Sequence, residues 1–128
     1  MNTTLYLSVM LGAALGASTR VYVSMRLTQW LPAYFSLGTV CVNALGSFVI
    51  GFLVVVLREK GLLTTPLGML AVPGFLGAFT TFSTFSLDTW RYIEQGRGLM
   101  ALLNVGVTVV VCLVLCYVGM AIAKSVVE

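Results

Sequence analysis

Pro73-Gly74-Phe75-Leu76-Gly77-Ala78-Phe79-Thr80-Thr81-Phe82-Ser83-Thr84-Phe85-Ser86 sits inside an apolar run from about Pro66 to Gln95 and decides how that run is built. As one continuous helix the 30 residues of the run would measure about 45 Å, against a hydrocarbon core about 30 Å thick. The run must therefore tilt strongly, break or emerge. Pro73 to Gly77 combines a missing amide, a ring clash and two conformationally free residues, so the sequence predicts a break near residues 73–79, close to the bilayer midplane. Unpaired backbone at that depth survives only inside protein or beside a wet cavity.

The stretch from Phe79 to Ser86 carries five hydroxyls and three phenylalanines in eight residues. A helix restarting there aims its free amides and positive dipole end back at the midplane, and carbonyls freed on the other side of the break suit a cation. The hydroxyls suit an ion in transit, or they bond the carbonyl one turn back as Ser and Thr in membrane helices often do. Phe82 and Phe85 are three apart and share a face. That spacing serves packing, or it offers positive ring edges to an anion without introducing a charge.

Outward from this stretch, four runs are long enough to cross a bilayer: residues 4–25, 34–57, 66–95 and 99–123. The 128 residues are 59% hydrophobic and 9% charged, with a mean hydropathy of +1.05, far from the roughly 45–50% apolar and 25% charged profile of soluble domains. The chain reads as an all-α membrane protein, a single four-helix transmembrane domain over residues 1–128. Eleven charged residues and no histidine exclude disorder, a charged nucleic-acid surface and imidazole chemistry. The net charge of +3 reads as headgroup contact. Cys41, Cys112 and Cys116 all lie in apolar runs without a CxxC pair, so they read as small hydrophobes.

The first run reads as a retained helix, since Met1-Asn2-Thr3-Thr4 lacks the positive flank of a signal peptide. Short connectors at Arg26 to Ala33, Arg58 to Thr65 and Gly96 to Gly98 make neighbouring helices antiparallel. With four spans, Arg58, Lys60 and Lys124 fall on one side and Arg20, Arg26, Arg91 and Arg97 on the other. Three against four leaves almost no bias to orient the chain. Either it inserts both ways and pairs with an inverted copy, or partners orient it.

Gly12 and Gly16 on the first helix form a GxxxG strip, widened by Ala17, where another helix approaches closely. On the second helix Thr39, Asn43 and Ser47 make one polar stripe at i, i+4 and i+8. Asn43 must find partners for two donors and an acceptor oxygen, as interhelical glue or as a ligand contact. Asn104, Thr108 and Cys112 make a second sparse polar line on the fourth helix, which counts Thr108 among the candidate pore residues. No carboxylate lies deep in a span: Asp88 and Glu94 are near the end of the third run, and Glu59 and Glu128 lie outside. Coupled carriers usually need an intramembrane acid. A small-molecule exporter of the four-helix dual-topology type shares the length and weak charge bias, but its first-helix glutamate has no counterpart in residues 4–25. A membrane enzyme lacks any deep acid and base pair. A non-transporting scaffold subunit, with every polar residue acting as glue, is the other alternative.

Three motifs carry a family resemblance over essentially the whole chain: Gly12-x-x-x-Gly16-Ala17-x-x-Arg20, Gly38-Thr39-x-x-x-Asn43-x-x-Gly46-Ser47-Phe48 and Gly74-x-x-Gly77-x-x-Thr80-Thr81-Phe82-Ser83-Thr84-Phe85. Together they resemble the Fluc (CrcB) fluoride channels. The resemblance implies an antiparallel dual-topology homodimer in the cell (inner) membrane, with two pores and passive, strongly selective fluoride export. In that picture Phe82 and Phe85 present ring edges to fluoride and Asn43 donates its amide. Ser83 and Thr84 belong to a polar track, which Thr39 extends. Gly77 and Thr80 supply backbone carbonyls to a structural sodium ion at the dimer axis, and Arg20 sits at a pore entrance. Ala78 stands where the family often has a second glycine, and Asn104 where relatives can carry a tyrosine.

Overall fold

The computed structural model of the chain describes residues 2–30 and 35–127. Among these are four helical spans long and apolar enough to cross a membrane: Thr3–Trp30, Leu37–Glu59, Pro66–Glu94 and Gly98–Val127. No strand occurs among the described residues. The first span is α1 (Thr3–Trp30) and the second α2 (Leu37–Glu59). The third is assembled from α3 (Pro66–Met69), a π-helical stretch (Leu70–Leu76), α4 (Gly77–Phe79) and α5 (Phe82–Glu94). The fourth is α6 (Gly98–Val127).

The helices outrun the apolar runs that suggest them. α1 continues through Arg26, Thr28 and Gln29 to Trp30, so the connector expected from Arg26 is helical over its first half, and its remainder at 31–33 lies outside the described residues. Long polar side chains are adequate helix formers and extend a span into the headgroup layer. The expected start of the second helix at Tyr34 and the C-terminal Glu128 also lie outside the described residues. α2 runs from Leu37 to Glu59, and α6 reaches Val127 rather than Ala123.

Two turns between spans are closed by glycine. After α2, Gly61 adopts φ 65°, with its N–H on the Arg58 carbonyl and the Leu62 N–H on the Leu57 carbonyl. After α5, Gly96 adopts φ 69°, its N–H meets the Ile93 carbonyl, and the Arg97 N–H meets the Tyr92 carbonyl. Both are Schellman closures, which place a residue in the left-handed region where a Cβ is disfavoured. Thr65 then opens α3 as its N-cap, accepting from the Gly68 N–H, with Pro66 at the first helical position.

The proline-glycine stretch does not break the third span where the sequence suggests. Pro73 lies inside the π-helical stretch, and the Gly77 N–H reaches back to the carbonyl of Val72. A π turn passes a carbonyl to the amide five residues on, so the register skips the missing amide of Pro73 and the wider turn gives its ring room. The helix is interrupted later, at Thr80 and Thr81, whose backbones are extended at φ −80°, ψ 157° and φ −151°, ψ 111°.

The π-helical stretch packs on the glycine strip of α1. A Cβ at Gly12 would collide with the carbonyl oxygen of Leu70, and one at Gly16 with that of Phe75. The GxxxG strip is therefore a backbone-to-backbone seam within the chain. A second such seam joins α2 to α6, where Gly51 meets the Cys116 carbonyl and Gly119 meets that of Phe48. Between the spans the buried set includes Ser8, Thr39, Asn43, Thr81, Asn104 and Thr108, while many Leu, Val and Met side chains face outward. Polar residues inside and apolar ones outside suit hydrocarbon as the solvent.

Candidate functional site

Extended backbone in mid-span leaves amides and carbonyls to be satisfied from outside the helix. At Thr81 the partner is Asn43 of α2. The Thr81 N–H donates to Asn43 Oδ1 at 2.7 Å, and Asn43 Nδ2 donates to the Thr81 carbonyl at 3.0 Å. Both residues are buried. Asn43 is thus interhelical glue, yet a primary amide has two N–H groups and Thr81 engages one of them. The Thr81 hydroxyl then caps α5: it accepts from the Thr84 N–H at 3.2 Å and meets the hydroxyls of Thr84 at 3.1 Å and Ser83 at 3.3 Å.

Thr81 forms part of the wall of two cavities. The first, about 370 Å³, is lined by Asn43, Ser47, Phe82, Phe85 and Thr108 as well as Thr80 and Thr81. The second, about 400 Å³, is lined by Arg20, Ser24, Thr28, Thr39 and Thr84 with Thr81. The residues singled out in the sequence therefore divide into two groups. Asn43, Phe82, Phe85 and Thr108 come together in the first cavity, and Arg20, Thr39 and Thr84 in the second. Ser83 is exposed and joins neither lining, although it reaches the Thr81 hydroxyl. Phe82 and Phe85 tilt against each other at 53° with ring centroids 5.3 Å apart. Phe85 is 7% exposed, whereas Phe82 is 77% exposed on the flank of the chain.

The hydroxyls divide in the same way. Thr80, Ser86 and Thr89 bond the carbonyls of Leu76, Phe82 and Phe85 one turn back. Thr108 is buried and its hydroxyl finds no partner among the described residues. Asn104, 1% exposed, donates Nδ2 to the Thr89 hydroxyl at 2.8 Å, and its Oδ1 is likewise without a partner among the described residues. A buried polar atom with no protein partner calls for a physical reason, such as water, an ion or local strain.

Asp88 and Thr81 are what sequence reading missed. Asp88 lies in the middle of α5, 14% exposed at its side chain, and accepts from the Thr39 hydroxyl at 2.8 Å, with Arg91 Nη1 at 3.9 Å. The Thr39 proton is thereby committed to a carboxylate. Asn43 with Thr81, Thr39 with Asp88 and Ser36 with Tyr92 (2.9 Å between hydroxyls) form three rungs of a polar seam between α2 and α5. Helical spacing carries a hint of it, since Phe85, Asp88 and Tyr92 share one face of α5.

Gly77 and Thr80 fit a cation held by carbonyls. The amides one turn on, those of Thr81 and Thr84, donate to Asn43 Oδ1 and to the Thr81 hydroxyl instead of closing helical turns on the Gly77 and Thr80 carbonyls. Gly77 is exposed. Hard cations prefer such oxygen ligands. No cluster of three or more His, Cys, Asp or Glu side chains able to hold a metal occurs among the described residues.

A family model described as "CrcB-like protein, Camphor Resistance (CrcB)" matches residues 7–120. A protein of Methylococcus capsulatus named fluoride-specific ion channel FluC is 44% identical over 124 residues, 97% of this chain. The chain spans 54% of the length of that relative. Proteins of the same name from Hydrogenovibrio crunogenus and Magnetococcus marinus are 39% and 40% identical over 93% and 91% of this chain, which covers 90% and 94% of their lengths.

Proposed function

The chain belongs to the CrcB-like family, and from that premise we propose that it is a passive fluoride channel of the cell membrane. It is a multi-pass membrane protein. The observation that carries the reading is the first cavity, where neutral donors and aromatic rings meet beside the interrupted span. Among the described residues Asn43 Nδ2 has one partner and the Thr108 hydroxyl none, and Phe82 and Phe85 line the same cavity. Three of the relatives that support the reading bear the name fluoride-specific ion channel.

Fluoride is small and strongly hydrated, so a narrow passage must replace its water with hydrogen-bond donors. An amide and a hydroxyl do this without a fixed positive charge that would trap the ion, and conduction needs release as much as binding. Positive ring edges add attraction at little desolvation cost. Arg20 lines the second cavity, where it draws anions toward Thr84 and Thr39. Ser83 extends the polar track from the Thr81 hydroxyl. Asp88, held by Thr39 and near Arg91, keeps its charge partly balanced beside that route. An inside-negative potential of 100 mV is worth about 2.3 kcal/mol per charge, roughly a fifty-fold gradient, so a passive path expels fluoride unaided.

The working unit is an antiparallel homodimer of oppositely inserted copies with two pores. The outward Phe82 and the near-even distribution of Lys and Arg support it. Gly77 and Thr80 would hold a sodium ion through their carbonyls at the dimer axis. That ion would neutralise carbonyl dipoles where two interrupted spans meet.

The scaffold reading keeps one observation in its favour, the use of Asn43 to grip Thr81. Fluoride-electrode recordings from liposomes containing the purified chain separate the two. A channel releases fluoride on addition of a potassium ionophore, and the release is lost in Phe82→Ile and Phe85→Ile. A scaffold releases nothing above protein-free vesicles.

A further inference from the structure

Among the described residues a single hydrogen bond between side chains joins α5 to α6: Asn104 Nδ2 donates to the Thr89 hydroxyl at 2.8 Å. Thr89 in turn donates to the Phe85 carbonyl at 2.8 Å, so a short chain of bonds runs from α6 to the backbone of a cavity residue. On its other flank α5 is tied to the second span twice, by Asp88 with Thr39 and by Tyr92 with Ser36. Asn104 holds it from the α6 side.

α5 and α6 run antiparallel from the short turn at 95–97, and Thr89 and Asn104 lie at similar distances from that turn. One helical turn further on, Thr89 is followed by Phe85 on α5 and Asn104 by Thr108 on α6. Both of these line the first cavity, one from each helix. The Thr89 and Asn104 contact therefore sits just beyond the end of the cavity, between the two helices that wall it.

Stability alone does not call for an amide there. Asn104 is 1% exposed and its Oδ1 has no partner among the described residues, which is unfavourable in a buried seam. Leucine has a similar branched outline without that oxygen, and beside it Thr89 would keep its bond to Phe85. What leucine lacks is a directional grip on the Thr89 hydroxyl.

We propose that Asn104 is a positioning residue that acts through Thr89: it fixes the register and separation of α5 and α6, and with them the width of the cavity beside Phe85. It does not touch the ion. The inference rests on the channel reading of that cavity. A gap that departs from the size of the ion lengthens and misaligns the contacts that replace its water, and these weaken steeply with geometry.

The test combines fluoride-electrode efflux from liposomes with unfolding temperature in detergent, both on the full chain. Asn104→Leu is expected to unfold at or above the unmodified temperature while fluoride release slows at least about tenfold, a coupling usual within one hydrogen-bond network. Thr89→Val slows release to a similar degree and unfolds earlier, because it strands the Asn104 amide. The double variant sets two apolar groups face to face and recovers stability, yet stays as slow as the single variants, since each removes the same contact. Thr89→Ser keeps the hydroxyl and releases fluoride near the unmodified rate.

Unmodified release in Asn104→Leu, release that recovers along with stability in the double variant, or slowing that multiplies when the two changes are combined overturns the proposal. If Asn104→Leu does not purify as a folded species, the double variant and Thr89→Ser carry the efflux comparison. Unmodified protein that releases no fluoride defeats the channel reading instead. Deuterium exchange of the α5 amides then decides the tie by itself: faster exchange in Asn104→Leu supports it and unchanged exchange overturns it.

Discussion

The side-chain amide of Asn43 takes both hydrogen-bonding groups of the Thr81 backbone, at 2.7 Å and 3.0 Å, and so replaces the helical turn that the third span gives up. One residue of α2 thereby holds the interruption open and lines the cavity beside it. In the proposed channel, structure and permeation are joined in the same amide.

Truncating it tests both. Asn43→Ala leaves two buried backbone groups unpaired, at about 1–3 kcal/mol each. The expected outcome is a lower unfolding temperature in detergent together with loss of fluoride efflux. An unchanged unfolding temperature would show that the Thr81 backbone finds other partners.

The position of the interruption was not legible in the chain, although its existence was. Pro73 and Gly74 look like the breaker because a proline lacks an amide, yet a π turn absorbs that loss when a glycine-lined helix packs against it. The two threonines where the backbone does extend carry no breaker signature, and only the reach of Asn43 from α2 makes that site favourable. Asp88 read only as a residue near the end of the third run, whereas it lies in the middle of α5 and the Thr39 hydroxyl meets its carboxylate. Hydropathy was enough for the four spans, and Gly12 with Gly16 was enough for a close helix contact. Which carbonyls are freed depended on where the Thr81 and Thr84 amides turn, and that is a tertiary fact.

The seam between α1 and the π-helical stretch has no room for a side chain. Gly12→Val and Gly16→Val are expected to cost at least the roughly 1–3 kcal/mol of an overpacked core, read as a lower unfolding temperature or failure to purify as a folded species. Gly106→Ala, where an added Cβ meets nothing within 4 Å, is the matched control and is expected to be neutral or better. Equal behaviour of the two sets would contradict the seam.

Phe82 and Phe85 touch but live in different surroundings. Phe82→Ile is expected to abolish efflux with little change in the stability of the isolated chain, because the ring is 77% exposed there. Phe85→Ile, at 7% exposure, is expected to lower both. Intact efflux in either variant would remove the rings from the pathway.

The sodium ion proposed for the Gly77 and Thr80 carbonyls is expected to be structural. The voltage at which fluoride current reverses should follow the fluoride gradient and ignore a tenfold sodium gradient, which is worth about 1.4 kcal/mol if sodium were carried. A reversal voltage that moves with sodium would make the protein a coupled carrier.

The most direct test loads the same vesicles with equal fluoride and chloride and follows both ions after the membrane potential is released. Neutral donors and ring edges that replace the shell of a small, strongly hydrated anion should release fluoride while chloride stays inside. Equal release of the two ions, or release of neither, would contradict the account.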